Sequence, residues 1–154
     1  MNNPSDRTLI LGLGNPTRSD DGVGVHVVES LRARGVPAGV HLEVAGTAGL
    51  GILDLIAGFD RVLIVDAIDA GLEPGTAVEL GVEELRDSMI LHGASSHESD
   101  VTAALALGRE LEMDLPEIRI VAVQVADVAT FCEQCTPRVA AAIDEVCERV
   151  LRGL

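Results

Sequence analysis

Three apolar runs, LILGL (9–13), RVLIV (61–65) and IRIVAVQV (118–125), set the strongest limit on how this chain folds. They are nearly continuous rather than alternating, so strands built from them need both faces buried. The predicted strands are RTLILGLG (7–14), GVHLEVA (39–45), DRVLIVDAI (60–68), GTAVEL (75–80, after the turn GLEPG) and EIRIVAVQV (117–125). Helical spacing marks about 22–34, LGILDLIAG (50–58), and 98–112 with Val101, Leu105, Gly108 and Leu111 on one stripe. A last helix opens at TPRVAAAIDEVCERVLRGL, with Thr136 as expected N-cap and Pro137 at its first position. Its stripe is Val139, Ile143, Val146 and Val150. Strands separated by helices predict a mostly parallel sheet covered on both faces, an α/β fold. The 154 residues suit a single domain spanning 1–154, and the chain contains no repeat, low-complexity tract or linker.

Composition narrows the partners. The chain has no Trp or Tyr and only two Phe, Phe59 and Phe131, so stacking platforms for single-stranded nucleic acid are missing. A formal net charge of −14 repels phosphate backbones, which disfavours DNA, RNA and anionic membranes. A basic peptide segment or a metal cation suits such a surface better. No apolar run approaches the roughly 20 residues of a membrane span. The opening MNNPSDRTLILGLGN has neither the basic region nor the apolar stretch of a signal peptide. Cys132, Cys135 and Cys147 cannot all pair within the chain. Together these features predict a cytoplasmic protein.

The segment GLGNPTRSDDGVG (12–24) invites a nucleotide-binding reading. A dinucleotide fingerprint needs a third glycine where Thr17 stands, and Asp20 and Asp21 occupy the position where a pyrophosphate would sit. No Walker loop is present. One aspartate before a helix suits the orphan amides and positive dipole there. A second is then available to the crevice outside the carboxyl ends of the strands, where open α/β sheets bind ligands. Asp66 ends an apolar strand, where an aspartate serves either a turn or a site. His97 lies in GASSHESD at an expected helix start, with Ser96 available as a cap. Asp21, Asp66 and His97 would together make a mixed O/N metal set with open positions. Taken singly, each is equally a cap, a turn residue or a surface histidine, and His26, His41 and His92 have no comparable company. Cys132 and Cys135 form one C-x-x-C in FCEQCTP; without a second pair they read as inert thiols rather than a zinc or redox site. No G-x-S-x-G elbow signals a serine nucleophile.

The ordered stretches LILGLGNPTRSDDGVGVHVVESL (9–31), GTAGL (46–50), VLIVDAIDAG (62–71), SSH (95–97) and CTPRVAAAIDEV (135–146) resemble the hydrogenase maturation proteases. The resemblance covers nearly the whole chain. It implies one three-layer α/β domain with a five-stranded sheet between helices. It also implies an endopeptidase that removes a C-terminal extension from the large-subunit precursor of a nickel-iron hydrogenase after nickel insertion. The family's metal-contacting positions fall on Asp21, Asp66 and His97, with the nickel supplied by the substrate. One departure is HESDVTAAL in place of the HxxGL turn of many relatives, which adds Glu98 and Asp100 near the expected site. LILGLGNP also opens peptidyl-tRNA hydrolases, but the tyrosine and catalytic histidine stretch expected next are missing. A metal-binding assembly chaperone is a third reading, with the same ligands and no cleavage.

Overall fold

The computed structural model describes the backbone of residues 6–46, 49–92 and 96–154, and their side chains except those of 88–92 and 96–99. Five strands, β1 (Thr8–Gly12), β2 (Val40–Val44), β3 (Arg61–Ile68), β4 (Ala77–Gly81) and β5 (Glu117–Gln124), form one sheet in the order β2-β1-β3-β5-β4. All neighbours run parallel except β4, which pairs antiparallel to β5 at the edge. Five helices pack on it: α1 (Val23–Arg34), α2 (Ile52–Ile56), α3 (Val82–His92), α4 (Ser96–Glu110) and α5 (Pro137–Arg152).

The unbroken apolar runs divide by alternation into two cores. Leu9, Leu11, Val62, Ile64, Ile120 and Ala122 face α2, α3 and α4, and pack with Ile52, Ile56, Leu85, Val101 and Leu105. Ile10, Leu63, Val65, Val121 and Val123 face α1 and α5, meeting Val27, Leu31, Val139, Val146 and Val150. Covering both faces removes the need for a polar face, which is why the runs read as continuous. No helix among the described residues is long and apolar enough to cross a membrane.

Beyond shifts of a residue or two at element ends, two helices depart from the sequence reading and a third is absent from it. The 50–58 segment is a 3-10 turn (Gly49–Gly51) followed by the short α2. Leu111 lies beyond the end of α4 and is exposed, so the stripe on that helix stops at Gly108, whose missing side chain admits Leu53 and Leu115. Helix α3 is an element the sequence reading does not include; among its described residues Leu85 is buried in the first core and Val82 packs against it.

Candidate functional site

The strand order changes direction at β1 and β3: the chain leaves β1 for β2 on one side and returns to β3 on the other. In open parallel sheets, ligands bind outside the carboxyl ends of the strands at such a point. The loop after β1 lies across this end. Its Leu13 amide donates to the Val65 carbonyl (3.0 Å) and its Gly14 amide to the Gly46 carbonyl (3.2 Å), tying it to β3 itself and to the loop after β2.

Two glycines make that arrangement sterically possible. Gly14 has φ of +113°, and a Cβ there would lie 1.9 Å from the Asp21 carbonyl oxygen. A Cβ on Gly24 would lie 2.2 Å from the Val65 carbonyl oxygen. The first contact folds the loop back so that Asp21 lies over its own entry. The second presses the first turn of α1 onto β3 one residue before Asp66. Backbone rather than phosphate fills the space the glycines leave, so the nucleotide reading fails on geometry as well as on charge.

Asp66 lies within β3, two residues before its end, in register with Ala122 of β5. Alternation places it on the face of Ile64 and Ile68, and only 4% of it is exposed. Its Oδ1 accepts the Ala67 amide at 2.8 Å. Around it, Ile64, Leu85, Val101, Ile120 and Ala122 line a small void beneath α3 and α4. Half-buried Asp21 accepts the Asn15 amide through Oδ2 at 2.9 Å, which closes the loop from its other end. Position 97 is the second residue of α4, one helical turn before Val101, the residue with which that helix lines the Asp66 void. The side chains of Ser96, His97 and Glu98 lie outside the described residues; Asp100 is exposed. Among the described residues, no three His, Cys, Asp or Glu side chains gather as a metal-binding group.

The pair of aspartates divides its work differently from the sequence expectation. Neither caps the helix it precedes. Asp20 is fully buried, and its carboxylate accepts hydrogen bonds from distant residues: the amides of Ala126 (2.8 Å), Asp127 (3.1 Å) and Thr136 (2.7 Å), and the Thr136 hydroxyl. It clasps the loop after β5 and the start of α5 to the loop after β1. Thr136 consequently makes no side-chain cap of its own; its hydroxyl donates to Asp20 while Pro137 opens α5 as expected. A carboxylate can satisfy several amides converging from separate segments, which a hydroxyl cannot.

Gln124 is a second clasp. Its Oε1 accepts the amides of Ala70 (2.8 Å) and Leu72 (3.2 Å), while Nε2 donates to Asp69 Oδ1 and the Val125 carbonyl. The loop after β3 is thereby fixed to the end of β5. Sequence reasoning missed Asp20's role, Thr136's part in it and Gln124. The available signal was a glutamine closing the apolar run IVAV (120–123).

The C-x-x-C belongs to the same loop system. The Cys132 amide donates to the Thr17 carbonyl (3.0 Å), and the Ser19 amide donates to the Cys132 carbonyl (2.8 Å). Burial, and then the negative charge of Asp20, push the Cys135 thiol up to about 11. A thiol so raised is protonated at neutral pH and a poor nucleophile. Alkylation near pH 8 is therefore expected to spare Cys135 and the buried Cys147 while reaching half-exposed Cys132. Fast labelling of Cys135 at that pH, read by peptide mass mapping, would contradict this environment.

Comparisons with known proteins agree with this architecture. The family model described as hydrogenase maturation protease (HycI) matches residues 25–153. The chain is 32% identical over 153 residues to the hydrogenase 2 maturation protease of Escherichia coli K12, covering 96% of this chain and 90% of that one. It is 34% identical over 132 residues to the hydrogenase expression/formation protein HupM of Azotobacter chroococcum, covering 85% of this chain but 63% of that relative. The solved structure of the hydrogenase maturating endopeptidase HybD from E. coli superposes with a TM-score of 0.85 at 32% identity, over 96% of this chain and 91% of that one.

Proposed function

The chain belongs to the hydrogenase maturation protease family, and from that premise we propose that it cleaves the C-terminal extension from a nickel-iron hydrogenase large-subunit precursor after nickel insertion. Asp21, Asp66 and His97 are the groups that read the metal. Two carboxylates and an imidazole form a mixed set with room for further ligands, suited to nickel still held by substrate thiolates. The nickel is thus cargo of the substrate rather than a resident of the enzyme. Held by these residues, a metal would be able to supply Lewis acidity to a substrate carbonyl. The chain's own residues orient it: Asp66 from inside the sheet, Asp21 from a loop held by backbone contacts, and His97 from the first turn of α4.

The observation that carries this reading is the buried Asp66 carboxylate at the switch point of the sheet, beneath the helix that bears position 97. A carboxylate costs free energy in apolar surroundings, and function accounts for its retention there. The free cysteines Cys132, Cys135 and Cys147 fit action in the reducing cytoplasm. Incubation with nickel-loaded precursor is expected to convert it to one product lighter by its C-terminal extension, read by intact mass. A stable complex with an unchanged precursor mass would instead mark an assembly chaperone.

A further inference from the structure

We infer that Phe131 is the anchor by which this chain grips the body of its precursor substrate, an inference that rests on the proteolytic reading above. The chain's two aromatic rings have opposite surroundings. Phe59 packs against the first core, with the His41 ring edge-on at 5.3 Å and the Arg7 guanidinium 4.8 Å from its centre. Phe131 is 85% exposed. A large apolar side chain held in water gains nothing for the isolated fold, whereas exposed aromatics dominate the energetics of interfaces.

The loop that presents it is not slack. The Asp127 carboxylate accepts the amides of Ala129 and Thr130 and the Thr130 hydroxyl, closing a turn just before Phe131. Those bonds, the Thr130 hydroxyl first, hold the Asp127 carboxyl below its usual range. Their contribution to the turn is therefore present at neutral pH and falls away only as pH drops through that lowered value. Just after the ring, Cys132 bridges to Thr17 and Ser19, and before it Asp20 fixes Ala126 and Asp127. A ring offered on a preformed loop loses little further freedom on binding.

Position specifies the partner. Phe131 is joined through Cys132 to the segment that delivers Asp21. Val128, Leu72 and Leu50, at 40%, 41% and 58% exposure, lie on the loops after β5, β3 and β2 at the same end of the sheet. A tail reaching Asp66 from outside the carboxyl ends crosses this rim. Asp127 and Glu133 stand on either side of Phe131 in the sequence, in a chain of net charge −14. The complementary feature on the precursor is an apolar pocket bordered by Lys or Arg.

The test compares wild type, Phe131→Ala and Phe131→Leu on nickel-loaded large-subunit precursor from the same organism. Phe131→Ala is expected to raise KM about tenfold or more, in keeping with loss of an aromatic anchor. It should leave kcat within about twofold and the thermal midpoint unchanged, because the ring contributes no buried contact to the fold. Phe131→Leu restores most of the loss. An unchanged KM in Phe131→Ala, a loss confined to kcat, or a loss that Phe131→Leu does not relieve overturns the anchor while leaving the proteolytic reading intact. A wild-type chain that leaves the precursor uncut overturns both.

Discussion

Asp66→Asn lowers precursor processing by about a hundredfold or more and leaves the protein folded. Changing groups that merely support a metal's ligands costs about 10–100-fold, and Asp66 is proposed to touch the metal directly. The amide has the volume of the carboxylate, and its oxygen can still accept the Ala67 amide now held at 2.8 Å. It brings no charge into the apolar surroundings of Ile64, Leu85, Val101 and Ile120. The thermal midpoint should therefore stay close to that of the wild type, which separates a loss of function from a loss of fold. Asp21→Ala and His97→Ala are expected to behave alike in activity. Processing rates and thermal melts of the same preparations check both halves; an Asp66→Asn variant that cleaves normally removes this residue from the site.

Asp20→Ala has the opposite signature. It leaves three amides and a hydroxyl without the carboxylate they converge on, in a place with no exposure to water. Hydrogen bonds to a charged acceptor contribute about 1.5–3 kcal/mol each and do not add fully when they share one group. The expected loss is about 3–5 kcal/mol, equivalent to a fall of about 10 °C in thermal midpoint for a domain of this size. Hydrogen exchange should accelerate first at the amides of Ala126, Asp127 and Thr136. A midpoint within about 2 °C of wild type would mean that the clasp is replaceable by water. Asp20 in the loop after β1 and Asp66 within β3 thus have separable effects, the first on stability and the second on activity.

The layered sheet was legible because continuous apolar runs in β1, β3 and β5 have one common solution, a parallel sheet covered on both sides. The amphipathic face of α5 was equally clear in Val139, Val146 and Val150. Helix α3 was not, since its place is set by β4 and α4 beside it, which local spacing does not reveal. The sequence also pointed to Asp66, because a carboxylate in an apolar strand is expensive unless used, although the strand continues for two residues beyond it. What local pattern could not reveal was which of two adjacent aspartates went where. Asp20's partners are more than 100 residues away, and helix-capping logic looks only a few residues ahead. Gln124 was hidden for the same reason, its partners at Ala70 and Leu72 being joined to it only by sheet topology.

The central claim is that Asp21, Asp66 and His97 read a metal already seated in the substrate. Its most direct test is the cleavage rate of nickel-loaded against nickel-free precursor at equal concentration, with added nickel chelated in both. The account predicts cleavage of the loaded form alone, abolished in Asp66→Asn. Equal cleavage of the two forms by the wild-type chain would contradict it.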